Sequence, residues 1–377
     1  MDILQPFYAL MGYFLPFLLV LTVVVFFHEL GHFWVARRCG VRVLTFSIGF
    51  GPEIFGFNDK QGTRWRLALV PLGGYVKFFG DSTAASAPDF DGARAMTSEE
   101  KSVSFAHKSL RARAAVVAAG PVANFILAFV IFMSIFMLAG RPVVEARIAE
   151  VNQGSPAAAA GFLPGDVVLG VEGRRVESFS DFQRIISTSG GRTLTVQVAR
   201  GDEKVQLVAT PKNVEIGDGF GGKMQVGQLG LKRLIAAEDV TIVRYGPIDA
   251  TVMSVKEIWF IISRTLTYFG GLIAGQESID QLSGPIRIAH VSGEAASIGP
   301  MALVNLVAIL SVSIGLLNLF PIPLLDGGHL LFYAAEAIKG KPVSERAQEI
   351  GFRFGLIVVA LLMIVVNWND ISRLTAM

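Results

Sequence analysis

The chain has 377 residues, 52% of them hydrophobic and 17% charged, with a formal net charge of +2 at pH 7. Its mean hydropathy of +0.53 excludes an ordinary soluble enzyme and fits several membrane spans plus at least one water-soluble domain. The small charge, with no basic run carrying interleaved aromatics, argues against nucleic acid as a partner, and the single cysteine, Cys39, excludes an intrachain disulfide and a cysteine-rich zinc site.

Residues 1–36 hold the first expected transmembrane helix, about 14–36, long enough to cross ~30 Å of hydrocarbon. It lacks the basic leader of a signal peptide, so it is expected to be retained. At the end of its apolar run stands His28-Glu29-Leu30-Gly31-His32. On a helix, His28 and His32 lie at i and i+4 on one face, with Glu29 beside them. This H-E-x-x-H spacing suits two imidazoles holding a metal ion and an acid that takes a proton from water, the chemistry of zinc metalloproteases. A chance match of two core histidines is the bland alternative, and buried ionisable groups at this depth are costly enough to favour the functional one. Arg37, Arg38 and Arg42 follow at once, whereas residues 1–6 have no Lys or Arg, so the positive-inside rule puts this end of the helix in the cytosol.

Residues 37–113 are expected as a β-rich, membrane-associated region on the cytosolic side. Short alternating runs at 43–46, 47–52, 64–70 and 75–78, punctuated by Gly and Pro, read as hairpins, and an exposed strand edge there could pair with an extended substrate. Residues 81–108 read as a loosely ordered loop. A second span at 114–140 contains Gly120-Pro121-Val122-Ala123-Asn124, where small residues allow close helix packing and Asn124 reads as an interhelical hydrogen-bonding residue ahead of a direct catalytic one.

The chain then turns soluble in character. Residues 143–231 alternate β-like runs with Gly-rich turns and one helix-like segment at 180–187. The stretch Gly154-Ser155-Pro156-Ala157-Ala158-Ala159-Ala160-Gly161-Phe162-Leu163-Pro164-Gly165-Asp166 resembles the signature of bacterial PDZ domains, which bind extended peptides or chain ends by strand addition. Residues 217–239 read as a Gly-rich connector with one short strand. Within 240–300, the apolar segment 250–273 is interrupted by Lys256, Glu257 and Arg264 and reads as an amphipathic helix at the lipid interface, followed by a connector. The third span, in 301–328, ends in Asn318-Leu319-Phe320-Pro321-Ile322-Pro323-Leu324-Leu325-Asp326-Gly327-Gly328. Its two prolines break regular helix, which membranes tolerate only beside protein or a cavity. A cytosolic loop at 329–353 with Lys339, Lys341 and Arg346 leads to the fourth span in 354–377, anchored by Trp368.

Four spans bring the ends of the first and third to one membrane side. Asp326 can then be a third metal ligand, leaving a fourth position open as catalytic zinc requires. By the chain alone an ordinary Asp-Gly turn residue is an equally good reading. His329 reads as an ordinary residue, with support of the site as the alternative.

Taken together and in this order, His28 to His32, Gly120 to Asn124, the PDZ-like insert and Asn318 to Gly328 resemble the site-2 protease family of intramembrane zinc metalloproteases, nearest its RseP, or regulator of sigma-E protease, type. The resemblance implies that His28, His32 and Asp326 bind Zn2+, that Glu29 is the general base and that Asn318 helps hold the substrate or the developing oxyanion. It implies single-span membrane proteins as substrates, such as a pre-trimmed anti-sigma factor or remnant signal peptides. It also implies a multi-pass protein of the bacterial inner membrane, with both termini and the PDZ domain periplasmic and the active site toward the cytosol. The expected architecture is a polytopic α-helical membrane protein of four transmembrane helices with a membrane-associated β-sheet and one periplasmic PDZ domain. One PDZ domain is found where the best-known members carry two in tandem. A non-catalytic PDZ scaffold with a structural metal and a metal transporter are the rival classes; the first needs a fourth protein ligand, and the second leaves the PDZ-like and strand-rich segments without purpose.

Overall fold

The computed structural model describes residues 5–80, 96–217, 223–233, 241–275, 277–279, 282 and 284–374. The loop expected at 81–108 and the connector expected at 217–239 therefore lie partly outside the described residues. The chain divides into two compact units, and among the described residues four helices are long and apolar enough to cross a membrane: Met11–Arg38, Leu110–Ala139, Pro300–Asn318 and Glu345–Ser372.

In the first unit, helix α1 (Gln5–Arg38) leads into two long strands, β1 (Val43–Asn58) and β2 (Arg64–Phe78). These bend at Gly49, Gly51 and Gly73, whose φ values of 87°, 87° and 132° L side chains rarely adopt. The bends fold two strands into four antiparallel segments: 43–48 pairs on one side with 74–78 and on the other with 64–67, which pairs in turn with 53–58. The sheet therefore has 53–58 and 74–78 as its edges.

Aromatic packing fixes this sheet to the end of α1. Phe46 stacks on Trp65 with ring centroids 4.2 Å apart, and Phe33 meets Trp65 edge-on at 5.0 Å. Arg37 pairs with Asp59 in the hairpin turn and donates to Thr63 Oγ1 at 2.8 Å. Burial pushes the Asp59 carboxyl up, but hydrogen bonds from Trp65, Thr63, Arg37 and Gln61 outweigh it and hold the pKa down to about 2. The segment expected as a loose loop contains a short helix, α2 (Ser98–Val103), closed by a capping box between Thr97 and Glu100. Helix α3 (Leu110–Ser134) follows and passes into a π-helical turn, Ile135–Ala139.

The second unit holds the soluble-type domain. Strands β3 (Arg141–Val143), β4 (Glu150–Val151), β5 (Val167–Val171), β6 (Arg174–Arg175), β7 (Leu194–Arg200) and β8 (Glu203–Ala209) are joined by helices α4 (Pro156–Ala159) and α5 (Phe179–Ser187). A four-stranded antiparallel sheet runs β6-β5-β7-β8. Strands β9 (Lys212–Gly217) and β10 (Lys223–Gln228) form a hairpin, β11 (Leu231–Lys232) pairs with β4, and β12 (Thr241–Val243) pairs with β3. Helix α5 starts where Ser178 Oγ accepts from the Asp181 backbone N–H at 3.1 Å. It turns Phe182 and Ile186, one turn apart, into a core with Ile148, Phe162, Val168, Val196 and Val198. Buried Asp166, just before β5, is met by Arg200 at 2.8 Å and by the Leu163 N–H at 2.9 Å.

Helix α6 (Pro247–Ile273) carries Ile248, Val252, Val255, Trp259, Leu266 and Ile273 exposed on one face, the pattern of a helix with an apolar stripe. The structure then differs from the connector expected up to residue 300: α7 (Pro285–Ile298) is a helix packed on α1, with His290 stacked on Tyr13 at 4.9 Å. Its cap is remote. Asp370 accepts from the Gly284 and Arg287 N–H groups at 3.1 and 3.0 Å. Helix α8 (Pro300–Asn318) stops at Asn318, and after Pro321, Pro323 and Leu324 (φ 124°) helix α9 (Asp326–Lys339) begins at Asp326. Much of the cytosolic loop expected at 329–353 is thus helical. Gly340 in the left-handed conformation closes α9, and α10 (Glu345–Leu374) starts before the expected residue 354.

Candidate metal centre

Helix α1 places His28 and His32 on one face, and α9 opens with Asp326 toward them. His28 Nε2 lies 3.2 Å from Asp326 Oδ2, His32 Nε2 3.5 Å from the same oxygen, and the two Nε2 atoms 3.2 Å from each other. All three residues are mostly buried, and together they form the group able to hold a metal among the described residues. Asp326 Oδ2 is buried yet takes no hydrogen bond from either ring.

This geometry tests the expected ion. His32 Nδ1 lies 2.8 Å from the Val116 carbonyl oxygen, an acceptor, so the ring proton sits on Nδ1 and Nε2 presents a lone pair. Lone pairs of a second imidazole and a carboxylate face that atom, an arrangement that repels unless a cation stands between them. A tetrahedral zinc ion with bonds of about 2.0–2.1 Å would set its ligand atoms about 3.3 Å apart. The donor set therefore fits zinc.

Close packing of α1 on α3 makes this possible. A Cβ on Gly31 would collide with the Ala119 carbonyl, and one on Gly120 with the His28 and His32 rings. Glycines following Asp326 do the same for α9, since a Cβ on Gly327 would meet the Leu319 and Phe320 carbonyls and one on Gly328 the Ile322 carbonyl. Arg113 of α3 holds α9 further along, donating to Glu336 at 2.5 Å and lying over the Tyr333 ring at 4.9 Å.

Glu29 points from α1 toward the sheet. Its carboxylate takes a hydrogen bond from the Val76 backbone, and a Cβ on Gly74 would approach Glu29 Cγ at 3.1 Å. The edge segment 74–78 thus runs past the acid. Asn318 is the last residue of α8 and half-buried; its side chain makes no hydrogen bond with another described residue, and it is not among the three converging groups. His329 follows Asp326 by one turn, against Phe352 at 5.3 Å. One group escaped the sequence, the Val116 carbonyl, which has no sequence signal; Asn124, expected as an interhelical hydrogen-bonding residue, lies against His28 of α1, Nδ2 to Nδ1 3.3 Å.

Comparison with known proteins agrees with this chemistry. The Agrobacterium fabrum protein named "Putative zinc metalloprotease Atu1380" is 47% identical over 365 residues, covering 97% of both chains. Metalloprotease MmpA of Caulobacter vibrioides is 41% identical, covering 94% of both. Protease RseP of Yersinia pestis is 31% identical over 95% of this chain and 98% of its own. A solved PDZ domain from Listeria monocytogenes matches 22% of this chain and 82% of its own at 20% identity, with a TM-score of 0.19, and on its own establishes nothing about the fold. The family model for peptidase family M50 matches residues 16–362, and this chain belongs to that family, the site-2 proteases.

Proposed function

We propose that the protein is an intramembrane zinc endopeptidase that hydrolyses peptide bonds in or near the span of single-span membrane proteins. The observation that carries this is the convergence of His28 Nε2, His32 Nε2 and Asp326 Oδ2 beside Glu29, on helices apolar enough to lie in lipid. Three side-chain ligands suit a catalytic site with an open position; a closed structural site needs four. A bound zinc ion would polarise the scissile carbonyl and make water acidic near neutral pH.

The chain's own groups do the rest. Glu29 takes the proton of the attacking water and passes it to the leaving amine. Val76 orients that carboxylate through its backbone. A substrate helix hides its carbonyls in i to i−4 hydrogen bonds and must unwind to be cut, and an extended segment lying along strand 74–78 would regain main-chain partners there. Asn318, at the end of α8, is assigned to holding the unwound substrate or its developing oxyanion.

Arg37 and Arg38 end α1, and basic residues precede α3 and α10, which supports an inner-membrane orientation with the site toward the cytosol and both termini outside. The domain at 143–231 is then periplasmic, takes a peptide or chain end as its ligand and acts as a size filter that admits pre-trimmed substrates, such as an anti-sigma factor or remnant signal peptides. The exposed stripe of α6 lies on lipid. Deleting residues 143–231 tests the filter: untrimmed single-span substrates become cleavable while the rate on trimmed ones holds, and unchanged selectivity would refute it. The enzymatic reading is tested by metal analysis of the detergent-purified protein with a single-span substrate; zinc bound and the substrate cut support it, and a zinc-loaded protein that cuts no single-span substrate would sink it.

A further inference from the structure

We propose that Asn124 is a positioning residue whose side-chain oxygen accepts a hydrogen bond from His28 Nδ1 and thereby aims His28 Nε2 at the metal. This rests on the reading of His28 as a zinc ligand. Asn124 is fully buried in α3, within a candidate span, where a polar amide is costly unless it is paired. Its side-chain amide meets His28 Nδ1 at 3.3 Å.

The ring chemistry selects which amide atom faces it. His28 Nε2 looks onto Asp326 Oδ2 and His32 Nε2 at 3.2 Å each, so as a ligand it is bare and the proton of the neutral ring is on Nδ1. A donor at Nδ1 requires an acceptor opposite. The amide has one, Oδ1, and where it stands Oδ1 is buried without a partner. A half-turn of the planar amide exchanges Oδ1 and Nδ2 with no change of shape, and sets Oδ1 against Nδ1–H.

His32 repeats the arrangement. Its Nδ1 faces the Val116 carbonyl at 2.8 Å, eight residues before Asn124 on the same helix. One helix thus supplies the outer acceptor for both ligand rings, as metal-bound imidazoles require to fix tautomer and orientation. The Asn124 main chain is held in turn by Ser311 of α8, whose Oγ donates to the Asn124 carbonyl oxygen at 2.9 Å, and a Cβ on Gly315 would crowd Asn124 Cβ at 3.2 Å.

The test is zinc affinity of the full-length protein in detergent, by competition with a chromophoric chelator, alongside the melting temperature of the metal-free form. Asn124→Leu, which removes the acceptor, should raise the zinc Kd about 10- to 100-fold. Asn124→Asp, which keeps an acceptor oxygen and has no N–H, should bind zinc as tightly as wild type or more tightly. Wild-type affinity in a folded Asn124→Leu protein overturns the proposal. So does an Asn124→Asp variant that loses zinc, because then the amide N–H is what matters; this second variant decides the question if Asn124→Leu does not fold. A wild-type protein that takes up no zinc would overturn the metal site and this role together, whereas zinc-loaded wild type with unaltered variants overturns the role alone.

Discussion

The two units of the molecule solve opposite solvent problems. The domain built on β5, β7 and β8 hides its apolar groups, with Ile148, Val196 and Val198 at zero exposure, and Asp166, the one buried acid among its described residues, is answered by Arg200. The unit built on α1, α3 and α8 leaves Leu15, Leu19, Leu356 and Ile364 outside, and hides Ser47, Asn124, Ser311 and His28. In water that second pattern would be unstable; in lipid it is what a packed bundle requires, since lipid-facing positions cost nothing when apolar and polar groups need partners inside. The difference locates the chemistry. The buried acid of the β-domain is accounted for by its own hydrogen bonds, whereas Asp326 Oδ2 and Asn124 Oδ1 in the helical unit lack one, and both residues lie against His28.

The largest effects should come from the helical unit. His28→Ala or Asp326→Ala leaves two ligands, so zinc content measured on purified protein falls well below one per chain and cleavage of a single-span substrate is lost; a variant that keeps full zinc would break the ligand assignment. In the β-domain a large core change is Phe182→Ala, at about 3–5 kcal/mol of domain stability. It is read as loss of hydrogen-exchange protection over β5, β7 and β8, with zinc content unchanged.

A smaller effect sharpens the packing argument. Gly120→Ala puts a methyl against both ligand rings, and overpacking of this kind costs about 1–3 kcal/mol; here it should appear in zinc affinity more than in melting of the metal-free protein. The smallest effect is pH-dependent. Burial raises the Asp166 carboxyl, but the hydrogen bond and charge of Arg200 and the Leu163 N–H outweigh it, so its folded pKa lies below the ordinary value. Its contribution to stability is therefore complete above the unfolded carboxylate range, near pH 4, and is lost as pH falls through the folded pKa. Melting of the β-domain followed from pH 6 to pH 2 should show that loss, and Arg200→Gln should flatten it.

Local signals made half of the site legible. His28, Glu29 and His32 lie within five residues on one helix, so spacing alone aligns them. Asp326 carried no local mark beyond an Asp-Gly pair, and its role depended on two distant helix ends meeting. The glycines around it, which look like turn residues, are there for clearance against the Leu319, Phe320 and Ile322 carbonyls. Helix α7 escaped because Ser292 and Gly293, among the residues it buries, give no apolar stripe, and because its cap, Asp370, is supplied from α10. Backbone groups such as the Val116 carbonyl and the Val76 N–H are silent in any sequence, yet they orient two of the site's side chains.

The most direct test of the account takes wild-type protein and Glu29→Gln, purified in detergent, and measures zinc content and cleavage of one single-span substrate on the same samples. The account predicts about one zinc per chain in both and a cleavage rate about 10²- to 10⁴-fold lower in the variant. Full-rate cleavage by zinc-loaded Glu29→Gln would contradict it.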